Sequence, residues 1–336
     1  MEPSALVTYR ALLQRQPFPP VPQAQRIRDR QQRRQLPVVA VGHEVKATTR
    51  TPAKVDHLRK LGAEPMVVDG LDAAAVTKAV ADAEPDAIVH QMTALAGKSN
   101  LRRFDNWFAT TNELRTKGTD VLLAAAQNAG VARFVAQSYT GWTNPRTGGP
   151  VKTESDGLDP YPLKMQRGSL AAIRYLEQTV PASSLEGIVL SYGNFYGPGA
   201  SDSLVELIRK RRLPIIGDGA GVWSWIHLDD AAGATVAALE RGDRGIYNIT
   251  DDEPAPVSEW LPYLAEVADA KPPLRIPKGL ARLVAGAVSV RWMTQARGAS
   301  NEKAKRELGW RPVWSSWRKG FREGLMDATT PGAITA

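Results

Sequence analysis

The chain has no cysteine, which rules out disulfides, thiolate nucleophiles and Cys-ligated metals and fits a reducing cytoplasm. It has only four histidines, none at metal-ligand spacing, so no metal site is expected. Long apolar runs are missing as well. The most apolar stretch, Gly279 to Val290, is too short to span a bilayer and carries Arg282. No secretory leader is expected, because Ala5-Leu-Val7 is too short for an apolar core and arginines follow. The absence with the largest consequence is that of glycine: none precedes Gly42.

With 336 residues, 43% hydrophobic and 23% charged, the chain can bury a large core as one two-lobed unit or two small domains. Its net charge of +8 is unevenly spread. Residues 1–36 hold seven arginines against Glu2 and Asp29, which leaves the body near neutrality. A basic tail on a neutral body does not favour nucleic acid. The partner expected is a small-molecule substrate, with neither nucleic acid nor membrane.

From Gly42 onward, strand and helix patterns alternate. Val45 to Thr49 reads as a strand and Pro52 to Leu61 as a short helix. Glu64 to Asp69 and Ala73 to Ala83 repeat the pair, and Asp86 to His90 is an apolar strand introduced by Pro85. Leu114, Val121, Leu122 and Ala125 recur at helical spacing until Gly130 stops that helix. Ala132 to Gln137, Ser169 to Val180 and Gly187 to Leu190 continue as strand, helix and strand. Such alternation predicts an α/β fold with a doubly wound parallel sheet. After Asp251 the pattern turns helical, with amphipathic stretches at Val257 to Ala268 and Leu280 to Val290 and a short helix closed by Gly309.

Two motifs stand at the ends of strand-like runs. Ser191-Tyr-Gly-Asn-Phe-Tyr-Gly-Pro-Gly199 opens a strand into a tight loop, and Trp225-Ile-His-Leu-Asp-Asp-Ala231 puts two acids where a helix starts. Lys305-Arg-Glu-Leu-Gly-Trp-Arg-Pro312 follows near the C-terminus. Together they resemble the extended short-chain dehydrogenase/reductases, the NAD-dependent epimerase/dehydratase family, from about Gly42 to Phe321. The resemblance implies a Rossmann-like sheet with a smaller C-terminal substrate lobe over the strand ends. Residues 37–190 and 222–250 would form the dinucleotide-binding domain, and 191–221 with 251–325 the lobe. Residues 1–36 read as an atypical basic segment without regular structure. The family also forms homodimers through a two-helix face, though no residue here fixes one.

The family's phosphate-binding turn, Thr-Gly-x-x-Gly-x-x-Gly, should lie about twenty residues before Gly42-His-Glu-Val45. Residues 18–41 contain no glycine, and a side chain there would block backbone approach to phosphate or require a disfavoured positive φ. Two explanations stay open. One is a divergent N-terminus. The other is a shifted reading frame: with GC-rich codons, Arg28-Asp-Arg-Gln-Gln-Arg-Arg34 read one nucleotide later can encode Val-Thr-Gly-Ser-Ser-Gly-Val.

Other cofactor positions survive. The resemblance places Arg50 where the ribose 2′ substituent is read; an Arg there pairs with a 2′-phosphate, so NADP is preferred over NAD. Asp69 matches the family's adenine-contacting Asp, with helix capping as its alternative. Gln91, Met92 and Thr93 would line the ribose and pyrophosphate, with Asn194 in the loop beside the nicotinamide. His90 reads as a packed strand-end residue.

The chemistry is altered. The family's Ser or Thr is matched by Ser138, but its helical Asn is replaced by Arg115, and its Tyr-x-x-x-Lys pair by Ser169 and Ile173. Tyr161-Pro-Leu-Lys164 reads either as a substitute acid/base pair or as a loop Tyr and a solvated Lys; Pro162 and the short spacing oppose a shared helical face. Tyr196 and Trp223 are candidates for the substrate cleft, with packing roles as alternatives. The function expected is that of an NAD(P)-dependent oxidoreductase or epimerase acting on a small carbonyl, hydroxyl or sugar-like substrate. A non-catalytic NAD(P)-binding sensor and a defective gene product are the rival readings.

Overall fold

Four consecutive buried residues, Ala87 to His90, mark a strand covered on both faces, as in the middle of a parallel sheet. The computed structural model describes residues 6–10, 39, 41–95 and 100–325. Its main strands are β1 (Leu6–Arg10), β2 (Glu44–Thr49), β3 (Glu64–Val67), β4 (Ala87–His90), β5 (Arg133–Tyr139), β6 (Glu186–Tyr192), β7 (Asn194–Tyr196), β8 (Trp225–His227) and β9 (Gly245–Ile249). Seven form one sheet in the order β9-β6-β5-β4-β1-β2-β3, while β7 and β8 pair separately. The fold is the expected doubly wound α/β type. All neighbours in the large sheet run parallel except those of β1, which is antiparallel to both β2 and β4. The basic N-terminal segment, read as lacking regular structure, thus contributes five residues to the sheet; residues 11–36 lie outside those described.

The main helices are α1 (Val55–Lys60), α2 (Ala73–Ala83), α3 (Thr119–Asn128), α4 (Arg167–Ala182), α5 (Asp202–Arg209), α6 (Leu228–Glu240), α7 (Val257–Val267), α8 (Lys278–Val284), α9 (Gly286–Gln295) and α10 (Trp317–Gly324). One sheet face is covered by Val76 and Val80 of α2, Leu122 of α3, and Leu176 and Val180 of α4. The other is covered by Leu58 of α1, Ala234 and Ala238 of α6, and Trp310. Close helix–strand approach sets one residue: a Cβ on Gly187 would lie 1.9 Å from the Val180 carbonyl oxygen. The single helix expected over Leu280 to Val290 is instead two. Gly286 breaks it with φ +85°, and Arg102 Nη2 donates to the carbonyls of Leu283 and Val284, both at 2.6 Å. No helix among the described residues is long and apolar enough to cross a membrane.

A second core gathers Trp225, Trp260, Trp317, Phe321 and Tyr196 under α5, α7 and α10. His227 and Asp230 fasten this lobe to the sheet. His227 Nδ1 accepts from the Asp229 amide at 3.1 Å, capping α6, while Nε2 meets the Gly324 carbonyl at 3.1 Å. The carboxylate of Asp230 accepts from the backbone amides of Val313 and Trp314, each at 2.8 Å. Burial pushes Asp230 up to about 6, and those two amides oppose the shift. Asp230→Ala would strand two half-buried amides and is expected to lower the unfolding free energy by about 2 kcal/mol. Chemical denaturation checks this; an unchanged midpoint and slope would contradict it.

Candidate active site

Parallel strands deliver their carboxyl ends to one edge of the sheet, and two hollows open there. The first is a solvent-open cleft of about 530 Å³ beyond β2, β3 and β4. Arg50, Asp69, Met92 and Thr93 all line it, so four of the six residues expected to hold cofactor come together. Asp69 Oδ1 accepts from the Leu71 amide at 3.0 Å. The alternative of capping α2 falls to Asp72, whose Oδ1 accepts from Ala75 at 3.0 Å. Gln91 points elsewhere: its Nε2 donates to Thr235 Oγ1 of α6 at 3.3 Å. His90 is buried, with Nε2 at 3.1 Å from the Leu114 carbonyl, and burial lowers it to about 4.

Apolar walls from Met92 and Leu114 with charged groups at Arg50 and Asp69 fit the adenosine end of a dinucleotide. The diphosphate is another matter. Because β1 is reversed, Arg10 pairs with Glu44 at the amino edge of the sheet, away from the cleft. The exit of β1 therefore cannot present a phosphate-binding turn to this cleft, and residues 11–38 lie outside those described. Affinity should rest on the adenosine end. NADPH is expected to bind within about tenfold of adenosine 2′-phosphate in calorimetric titrations of the full chain. A gain of several orders of magnitude would mean that the phosphates are held after all.

Ser138, at the end of β5, faces α4 and donates to Glu177 Oε1 at 2.7 Å. Burial raises Glu177 to about 7, against the Ser138 hydrogen bond and the charges of Arg115 and Arg174. Arg115 sits in a wide helical turn, Leu114–Gly118, is buried, and is lowered by that burial to about 10. Its Nη1 has no hydrogen-bond partner. Ser169, at the missing Tyr position, is held at the start of α4: it donates to Asp105 Oδ1 at 2.7 Å and accepts from Asn112 Nδ2 at 3.1 Å. Asp105 also takes the amides of Gly168 and Ser169, so this network is a helix cap. Ile173, at the Lys position, is core.

Two expectations change here. Tyr161 is 74% exposed and engages Arg146 and Arg291 only through its carbonyl. Lys164 is exposed on the next turn, and among the described residues no hydrogen bond joins either to Ser138. Proline at 162 keeps them off α4, as its chemistry requires. Tyr196 is fully buried between His227 and Phe321, its hydroxyl unpartnered, and a Cβ on Gly320 would meet that hydroxyl at 1.9 Å. Its role is packing, because α10 closes over the strand that carries it.

The second hollow, about 230 Å³, opens beyond β5 and β7 and is lined by Tyr139, Trp142, Asn194, Trp223 and Trp292. Asn194 and Trp223 therefore share this pocket rather than the first cleft. Asn194 Oδ1 accepts from the Tyr139 hydroxyl at 2.8 Å, and its Nδ2 donates to the Ser224 carbonyl at 3.0 Å. Sequence reading missed Glu177, Tyr139, Trp142 and Trp292. Only the adjacency of Tyr139 and Trp142 to Ser138 could have signalled any of them.

Between its ordinary value of 4.5 and about 7, folded Glu177 keeps a proton that the unfolded chain releases. Its contribution to stability is thus complete at low pH and is lost as pH rises through 7. The difference in unfolding midpoint between the parent chain and Glu177→Gln should change across that window in favour of the variant at higher pH. A pH-independent difference would contradict this.

Residues 36–250 match the NAD dependent epimerase/dehydratase family. The chain is 41% identical over 293 residues to a 3-diazoavenalumate denitrifying reductase from Streptomyces sp, covering 84% of this chain and 92% of the relative. It is 29% identical over 245 residues to a 2-alkyl-3-oxoalkanoate reductase from Stenotrophomonas maltophilia strain K279a, covering 69% and 71% of the two chains. Its fold is similar to that of Thermus thermophilus UDP-glucose 4-epimerase in complex with NAD. That match has a TM-score of 0.65 and 21% identity, over 90% of this chain and 94% of that one.

Proposed function

The chain belongs to the NAD dependent epimerase/dehydratase family, and from that membership we propose that it is a nicotinamide-dependent reductase whose reaction takes no proton from a Tyr/Lys pair. The observation that carries this reading is on α4: Ser169 is locked to Asp105 and Asn112, and Ile173 is apolar. The adenosine cleft and Ser138 stand beside that loss. When bound, the cofactor would supply hydride. Arg50 would pair with a ribose 2′-phosphate, which supports NADP, while Asp69, Met92 and Thr93 would flank the adenosine.

A substrate that needs hydride alone fits such a site. The Streptomyces relative is named for removing nitrogen from a diazo compound, and the same class of step is proposed here. At a diazonium carbon, hydride addition forms a C–H bond, the C–N bond breaks, and N2 leaves with that bonding pair. No proton is consumed.

Carbonyl reduction is the second reading, favoured by the Ser138–Glu177 hydrogen bond. A neutral Glu177 would donate to Ser138 Oγ and free the Ser138 hydrogen for a substrate oxygen. Binding without turnover, as a sensor would show, is the remaining rival, favoured by the same loss at 169 and 173.

The test is NADPH consumption by the full chain with a diazonium-bearing acid and with a carbonyl panel. The expected result is consumption with N2 release, changed less than about twofold by Ser138→Ala. Carbonyl turnover, if it is the activity, should fall by about 100-fold in that variant. Cofactor binding with no consumption on either class would replace the enzyme reading with the sensor. Arg50→Ser should move the NADPH-over-NADH preference down by about 10- to 100-fold; an unmoved ratio would remove Arg50 from cofactor choice.

A further inference from the structure

Nine large apolar side chains are exposed among the described residues, and they are not evenly scattered. Five of them, Leu207, Leu274, Leu280, Leu283 and Val284, belong to two short stretches around the second core, 207–218 and 268–284. Exposed leucines standing singly are ordinary. A group of them rimmed by charge marks a surface that meets something.

The two stretches lie side by side because bonds tie them along their length. Arg209 Nε donates to the Ala268 carbonyl and Arg211 Nη2 to the Pro272 carbonyl, both at 3.1 Å. The two-residue strands Ile215–Ile216 and Arg275–Ile276 pair in parallel. Lys278 Nζ then reaches Asp218 at 3.3 Å. On α8, Ala281 is buried against the lobe, while Leu280, Leu283 and Val284 follow helical spacing on the open side; Leu283 is 77% exposed. Lys278 and Arg282, four residues apart, take the adjoining edge. The two bonds from Arg102 to the carbonyls of Leu283 and Val284 hold the last turn in place.

Charge decides what this face can meet. The first stretch carries Arg209-Lys-Arg-Arg212 against Asp218, and the second Lys271, Arg275, Lys278 and Arg282 against Asp269. Lys210 pairs with Glu206 and Lys278 with Asp218, but Arg212, Lys271, Arg275 and Arg282 stand exposed. A second copy of the chain would set the same cations opposite one another. The seven arginines of residues 1–36 would be repelled likewise. An anionic lipid surface suits both halves of the face, since its headgroups attract the cations and its acyl boundary accepts the leucines.

We propose that this face docks the chain on an anionic membrane surface, with Leu280, Leu283 and Val284 entering the headgroup boundary and the flanking cations on the headgroups. None of the described helices could cross a bilayer, and lying on one requires no such helix. The inference departs from the expectation of no membrane partner, which rested on the want of a spanning run. It is independent of the reductase reading.

The test is co-sedimentation of the full chain with phosphatidylcholine vesicles, with and without about one-third phosphatidylserine. The anionic vesicles are expected to bind at least about tenfold more strongly, and to lose most of that advantage in about 0.5 M salt. Leu283→Ser should weaken anionic binding by about 5- to 10-fold, and Arg275→Gln with Arg282→Gln by about 10- to 30-fold. All three positions are exposed, so the unfolding midpoints should stay at the parent value. No vesicle binding, or equal binding to both compositions, would overturn the proposal. So would anionic binding that neither variant weakens, since the arginines of residues 1–36 would then account for it. Stronger binding to duplex DNA than to the anionic vesicles, unmoved by Leu283→Ser, would overturn it in favour of a soluble polyanion.

Discussion

The carboxylate of Asp230, buried where α6 leaves the sheet, accepts the backbone amides of Val313 and Trp314 and so fastens the C-terminal segment to the dinucleotide-type sheet. A buried anion is stable only when its oxygens are bonded, and here the partners are amides that belong to the other lobe. Trp310 adds an indole N–H to the Asp230 carbonyl at 3.1 Å. His227, three residues earlier, reaches Gly324 of α10. The lobe is thereby placed over the strand ends, and the strand ends are where both hollows form.

On that scaffold, the positions that resemble the family's Tyr and Lys hold Ser169 and Ile173. The hydroxyl at 169 belongs to a helix cap, and the residue at 173 belongs to the core. What remains near Ser138 is a carboxyl group with a buried guanidinium close enough to lower its pKa. A carboxyl with a pKa near neutrality can hold or release a proton at working pH, whereas a Tyr with no lysine beside it cannot. Tyr139 illustrates the contrast: burial pushes its hydroxyl up, so it stays protonated and serves as a hydrogen-bond donor to Asn194.

Much of the fold was legible because parallel strands and crossover helices impose periods of their own. Ala73 to Ala83 was read with its observed ends because its apolar positions recur on one face, although its cap is Asp72 rather than Asp69. The reversal of β1 was not legible, because strand direction leaves no mark in a five-residue apolar pattern. Nor was the break at Gly286, where the apolar spacing continues across the kink. That Arg50, Asp69, Met92 and Thr93 line one cleft was readable because each follows a parallel strand, and such ends share one edge. Gln91 escaped that logic, since one residue of difference turns a side chain to the other face. Trp142 and Trp292 meet from opposite halves of the chain, a separation no local pattern spans.

Isotope transfer tests the central claim most directly: the chain should move hydride from a nicotinamide to substrate carbon with no tyrosine–lysine proton donor. Incubation of the full chain with NADPH deuterated at the transferable position and a diazonium-bearing acid, in ordinary water, should place deuterium at the carbon that lost nitrogen. Hydrogen drawn from water at that carbon, with the label retained on the cofactor, would contradict the account.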